Sequence, residues 1–271
     1  MKSKVAAVPY VIWMVIFIVV PMLLVVIFAL TDTSGNFTLD NLASVGKYSS
    51  VFLRSIWLGA IATVVCIILG YPLAYIISRL AGGKQSVFIM LIMLPMWMNF
   101  LLRTYAWMTL LENNGLINRF LGLFGVGPFE LINTQGAVVL GMVYNYLPFM
   151  ILPIYSIMTK IEGRVIEAAQ DLGASKRQVF SRVILPLSAP GIITGITMVF
   201  VPAVSTFIIS KMLGGGGNLL IGDLIDMQFL GNAYNPNLGS AISLVLMVLI
   251  LICMGIMNQF DDGENEGGMI L

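Results

Sequence analysis

Apolar residues fill this chain in long, nearly unbroken runs instead of recurring at one-face spacing. Six runs stand out, at about 8–30, 55–79, 86–111, 136–158, 184–210 and 239–259. Each is close to the roughly 20 residues that a helix needs to cross a bilayer. Between them lie polar, turn-rich stretches, of which 31–54, 112–135 and 211–238 are the longest. Pro21, Pro72, Pro95, Pro148, Pro153 and Pro202 fall inside the runs. Each removes an amide donor and bends its helix, which a bundle tolerates because neighbours satisfy the freed carbonyls. The pattern predicts an all-α membrane protein, a bundle of six spans forming a single transmembrane domain over 1–271, with kinked helices suited to lining a path.

Basic residues orient the bundle. With the N-terminus inside, Lys2, Lys4, Arg79, Lys84, Lys160, Arg164, Lys176, Arg177 and Arg182 face the cytoplasm, and Lys47, Arg54, Arg119 and Lys211 face out. Nine against four predicts a cytoplasmic N-terminus, and six spans return the C-terminus to the same side. The first run is too long for a secretory h-region of about 7–15 residues, and Thr31 and Asp32, not a small-residue cleavage site, follow it. It is expected to stay as an uncleaved first helix.

Composition narrows the chemistry. Hydrophobic residues make up 59% and charged residues 10%, against about 25% charged in soluble domains. A net charge of +1 leaves no footprint for a nucleic-acid partner. There is no histidine, so the usual general base and commonest metal ligand are missing. Cys66 and Cys253 lie in apolar runs and read as small buried hydrophobes. The glycines at 214–217 read as a hinge or a close-packing site. No Lys-Ser or Lys-Thr follows them, so they do not form a phosphate loop, and the chain carries no nucleotide signature.

One charged segment interrupts the second half: EAAQDLGASKRQVFSRVILP, residues 167–186, in the cytoplasmic region 159–186. Val165, Ile166, Ala169 and Leu172 share a helix side, with Glu167, Gln170 and Asp171 away from it. Gly173 supplies a helix end, Ser175 with Gln178 a capping box for a second helix, and Pro186 the start of the fifth span. Such a segment either lies in the headgroups, with Lys176, Arg177 and Arg182 on anionic lipid, or offers itself to a groove on a partner protein. The pattern leaves both open.

The spacing carries a resemblance. Glu167-Ala168-Ala169, three residues, Gly173, nine residues and Val183-Ile184-Leu185-Pro186 resemble the EAA motif of type I ABC importer permeases, with Val183 in place of the usual isoleucine. Residues 94–121 and 211–230 are similar to the PotB-type permeases of spermidine/putrescine importers. The resemblance implies one permease half in the inner membrane of a bacterium. Its partners would be cytoplasmic ATPase subunits, a second, related permease and an extracytoplasmic substrate-binding protein. ATP and Mg²⁺ would sit in the ATPase, with no cofactor in this chain. Glu167, Ala168, Ala169, Gly173, Leu185 and Pro186 would form the ATPase-coupling element, and the chain would be half of a polyamine path, not an enzyme.

A polyamine path wants carboxylates and aromatic faces, since an ammonium over a ring gains about 0.5–2 kcal/mol. Trp97, Tyr105, Trp107, Tyr144 and Tyr146 are candidates, though aromatics near an interface also serve as belt anchors. Asp223 and Asp226, three apart, share a helix face or are solvated loop acids. Asn99 and Asn145 contact solute or bond between helices. Arg103 repels a polycation, so it is expected to snorkel outward or to pair with an outer carboxylate, which the sequence does not single out, as part of a gate. An ABC permease half for another solute (a phosphonate, an inorganic anion or ferric iron) keeps the EAA segment but wants anion-binding groups. An ion-driven secondary transporter wants ionisable midplane sites and repeat pairs. Apart from Arg79 at the very end of the second run, Arg103 is the single charged residue within the six runs, and no repeat is visible.

Overall fold

The computed structural model describes residues 8–231 and 233–267. Lys2 and Lys4, which entered the orientation count, lie outside the described residues. The described chain is helical apart from its connections and one isolated bridge, Thr31 to Phe37. Five helices are long and apolar enough to cross a membrane, and a bent pair makes a sixth if counted as one span.

Helix α1, Val8–Ala29, is exposed along nearly its whole length and lies against the last helix. Helix α2 runs Asp40–Ser78. It begins well before the expected 55, so much of the supposed loop 31–54 is helical. Its buried side, which includes Phe52, Ser55, Gly59, Ala62 and Cys66, continues the stripe of the span upstream.

The run 86–111 is the clearest departure. It is not one continuous helix but α3, Gly82–Trp97, and α4, Phe100–Leu111, bent apart by 89° together with the following α5, Leu116–Gly122. Pro95 sits in a tightened last turn, Leu94–Trp97. Asn99 then starts the next helix, its side-chain oxygen accepting from Leu101 N at 2.9 Å and Leu102 N at 3.3 Å. A missing donor followed at once by a strong N-cap stops one helix and begins another.

Helix α6, Gln135–Met158, matches its expected span. After it come α7, Gly163–Asp171, and α8, Lys176–Ser205. Helix α8 ends short of the expected 210. The chain turns at Thr206 and Phe207 into α9, Ile208–Leu213, and the supposed loop 211–238 holds α10, Ile221–Phe229. Helix α11, Pro236–Gly267, closes the chain.

Helices α2, α6 and α8 form the core. Helix α8 turns its small stripe, Ser188, Gly191, Gly195 and Ala203, inward. Small residues allow the close backbone approach that packing in a bilayer relies on. Two prolines are accommodated the same way. Wide π turns, Val15–Val19 and Phe180–Ile184, end two residues before Pro21 and Pro186. Each contains the carbonyl, at Phe17 or Arg182, that the proline ring would otherwise strike.

Candidate functional site

The EAA segment is built as its caps dictate. Helix α7 ends at Leu172, and Gly173 follows at φ 83° with open space around it, so glycine is needed there for its backbone conformation. Gly173 N donates to Gln170 O at 2.8 Å and Ala174 N to Ala169 O at 3.0 Å, the paired bonds of a Schellman end. Ser175 and Gln178 then cap each other reciprocally, at 2.8 and 3.4 Å. The second helix runs unbroken into the fifth span, so Pro186 lies inside α8 instead of marking its start.

The faces of this segment are unequally covered. Ile166 and Ala169 are half-buried, whereas Glu167, Ala168, Gly173, Leu185 and Pro186 are exposed. Leu172 is 89% exposed. Phe180 pins the segment to α2, meeting Tyr71 and Tyr75 edge-on at 5.9 and 5.6 Å. Tyr71 in turn shares a hydrogen bond of 3.0 Å with Ser188 of α8. A cavity of about 360 Å³ lies beneath, lined by Tyr75, Arg79, Ile166, Gln170 and Lys176.

The path candidates separate into groups. Trp97 and Tyr105 point outward and are exposed. Asn99 is a helix cap at the break, not a mid-span amide. Trp107 and Tyr144 meet edge-on at 5.4 Å, joining α4 to α6. Asn145 is buried, and its amide donates within its own helix to Gly141 O at 2.8 Å, not across to a neighbour. Its Oδ1 has no partner among the described residues. Tyr146 donates to Pro202 O at 3.3 Å, beside a cavity of about 240 Å³ where the breaks at 98–99 and 206–207 come together. Phe100, Ser205 and Thr206 line it.

Arg103 neither snorkels nor pairs with an acid among the described residues, and Glu112 is exposed at the end of α4. Arg103 is 8% exposed, its guanidinium lies 5.8 Å from the Phe100 ring centre, and its Nε and Nη1 have no partner among the described residues. Breaking or omitting one half of a buried pair is costly, and an apolar replacement is often stabilising by about 1–4 kcal/mol. Arg103→Met is therefore expected to raise the thermal midpoint of the chain purified without partners. A lowered midpoint would place a partner for the guanidinium inside the chain.

Asp223 and Asp226 are not solvated loop acids. Both lie on α10 and face one cavity of about 210 Å³. Asp223 is 4% exposed; its Oδ2 accepts from Leu220 N at 2.8 Å, while its Oδ1 has no partner among the described residues. Burial pushes its carboxyl up from the ordinary range. The Ser210 hydroxyl, the Leu220 amide and the Lys211 charge pull it down, and Asp226 adds to the rise. Asp226 accepts from Lys211 Nζ at 3.0 Å, the one ion pair among the described residues.

A family model described as "Binding-protein-dependent transport system inner membrane component" matches residues 67–263. The chain belongs to this family. As such a permease component, it is an inner-membrane protein of an ABC transporter. It is 39% identical over 250 residues to the spermidine/putrescine transport system permease protein PotB of Haemophilus influenzae, covering 89% of this chain and 87% of the relative. The Escherichia coli K12 protein of that name is 39% identical over 248 residues, covering 88% and 90%. These relatives are permease subunits, not enzymes.

The bacterial ABC transporter that imports the acidic polysaccharide alginate matches with a TM-score of 0.78 at 18% identity, covering 96% of this permease component and 94% of that chain. A second structure of the alginate transporter, in complex with its pentasaccharide-bound periplasmic protein, gives 0.77. The MetNI methionine transporter gives 0.56 at 16% identity, covering 78% and 93%. These structures show the fold. Hydropathy singles out neither Phe180 nor Lys211 of the permease component. The first is marked only by tyrosines four apart on α2, and the second only by acids downstream.

Proposed function

We propose that this permease component is one half of the translocation path of an ATP-driven polyamine importer for spermidine and putrescine. What carries the reading is the 39% identity to PotB permeases over nearly the whole of both chains. In it, residues 1–271 form one permease domain of six spans, with both termini cytoplasmic. Segment 159–186 docks in a cleft of a cytoplasmic ATPase, which binds ATP and Mg²⁺. A related permease supplies the other half of the path, and an extracytoplasmic binding protein delivers solute.

The geometry suits alternating access. Glu167, Ala168 and Leu172 offer an uncovered surface, with Ala169 half-buried behind it, and Phe180 transmits its displacement to α2 through Tyr71 and Tyr75. The buried stripe of α8 carries that displacement on to the break at Thr206. Trp107, Tyr144, Asn145 and the acids of α10 belong to the solute path in this reading. Trp97, Asn99 and Tyr105 flank it. Arg103 acts at the gate, paired with a carboxylate from outside this chain.

The unpartnered Arg103 favours one second reading, a path for an anion. Reconstitution with the ATPase, partner permease and binding protein decides between them. Spermidine or putrescine is expected to stimulate ATP hydrolysis well above the basal rate. Stimulation by phosphonate or an inorganic anion with none by polyamine would overturn the polyamine reading.

A further inference from the structure

Lys211 brings an alkylammonium of this chain to the acids of α10. The cavity there is lined by Lys211, Asn218, Leu219, Asp223, Asp226 and Met227. It therefore combines two carboxylates with apolar walls, which matches an ammonium on a methylene chain. Asp223 holds its Oδ1 unpartnered while 96% buried, as its 4% exposure requires. A buried acceptor left without a donor costs free energy that a ligand donor recovers. Asp226, by contrast, is occupied by Lys211 Nζ at 3.0 Å, and the Lys211 side chain is 67% exposed. An ion pair that open to water contributes about 0–1 kcal/mol, so it yields easily to a competitor.

The cavity lies at the far end of the molecule from the EAA segment. Arg54 Nη1 donates to Gly217 O at 3.0 Å, and Ile221 N donates to Ser55 Oγ at 2.8 Å, both at the early part of α2. Tyr75 and Arg79, beneath α7, lie near the other end of α2, about 30 and about 36 Å from Ser55 at the helical rise.

We infer that Asp223 and Asp226 form an ammonium subsite in which Lys211 is a tethered occupant, displaced when the terminal ammonium of a polyamine arrives. The inference rests on the polyamine reading above and adds its receiving site. Displacement conserves charge: one ammonium leaves Asp226 as another enters, and the arriving group also reaches the free oxygen of Asp223. Lys211 thereby keeps the empty site from holding a bare carboxylate pair and sets a threshold that a monovalent metal ion does not match in hydrogen bonding.

The test compares variants in the assembled transporter with its binding protein. Lys211→Met is expected to lower the putrescine concentration for half-maximal stimulation by about two- to fivefold, the upper end being what an exposed pair contributes. Asp226→Asn and Asp223→Asn are expected to raise it. Equal losses in Lys211→Met and Asp226→Asn would show a structural ion pair only and would overturn the inference. A second readout does not depend on transport: acylation of Lys211 by an amine-reactive reagent, followed by mass spectrometry. Putrescine consumes reagent through its own amines, so the readout is the ratio of Lys211 to Lys47 labelling, which is expected to change relative to a non-binding primary amine at equal concentration. No change at Lys211 overturns the subsite. A change at Lys211 with no polyamine-stimulated hydrolysis by the wild type retains the subsite and removes the polyamine-import reading.

Discussion

Replacing Leu172 by aspartate is expected to abolish solute-stimulated ATP hydrolysis in the assembled transporter while leaving the thermal midpoint of the chain unchanged. Leu172 is 89% exposed, so this chain gives its side chain almost nothing to pack against. Surface substitutions of that kind usually change stability by no more than about 0.5 kcal/mol. Its position is nevertheless fixed, because the Schellman bonds at Gly173 and Ala174 lock the backbone that carries it. Full burial of a leucine contributes about 1.5–3 kcal/mol, which is roughly 10- to 150-fold in docking affinity. Aspartate loses that and adds a charge to be desolvated. Leu172→Ala is the milder version. Hydrolysis that remains coupled in Leu172→Asp would show that the docking surface lies elsewhere on the segment. A lowered midpoint would move the effect from docking to folding.

Gly222→Ala carries the largest expected loss of stability. A Cβ at Gly222 would stand 2.5 Å from both Ser205 O and Thr206 O. Those are backbone atoms at the end of α8, so no side chain can swing away. Helix α10 is equally constrained, since Ile221 N is bonded to Ser55 Oγ and Leu220 N to Asp223 Oδ2, each at 2.8 Å. Forcing a methyl group into such a contact costs about 1–3 kcal/mol. The thermal midpoint should fall by several degrees, because 1 kcal/mol is worth about 2–4 °C in chains of roughly this size. Uptake should fall with it, because Ser205 and Thr206 line the cavity at the break. Gly136→Ala is the control: its added methyl would meet only Thr134 Oγ1, at an ordinary 3.7 Å. Equal midpoints for the two variants would mean that α8 and α10 separate freely.

The contrast between these two regions explains what the sequence discloses. Gly173 and the Ser175–Gln178 box act over three or four residues, so the EAA segment is legible down to its hydrogen bonds. The break inside 86–111 is also locally encoded, by Pro95 and Asn99, but a window that averages hydropathy over a whole span passes across it. Helices α9 and α10 are different. They are six and nine residues long, too short to stand alone, and they exist because neighbours cover them: α4 and α6 pack on α9, and α11, α8 and α2 on α10. Hence the sequence leaves Asp223 between a helix face and a solvated loop, and the fold puts it on a helix and buries it. The pairing of Lys211 with Asp226 spans fifteen residues and depends on how α9 turns back, which no periodicity encodes. Arg103 shows the reverse limit: its placement in a span is visible, but its lack of an acid partner within the described residues is not.

The wide turn at Phe180–Ile184 has a mechanical consequence. A π turn takes one residue more than an α turn, which puts everything after it out of phase by about 100°. The short helix at Lys176 and the inward stripe at Ser188, Gly191 and Gly195 are therefore set at an offset, like two keyways cut at different angles on one shaft. In the importer proposed above, a push from the ATPase would reach the core as torque about the axis of α8 as well as thrust along it. The turn thus acts as a screw thread between the two halves of the machine. Its pitch is written in a single surplus residue.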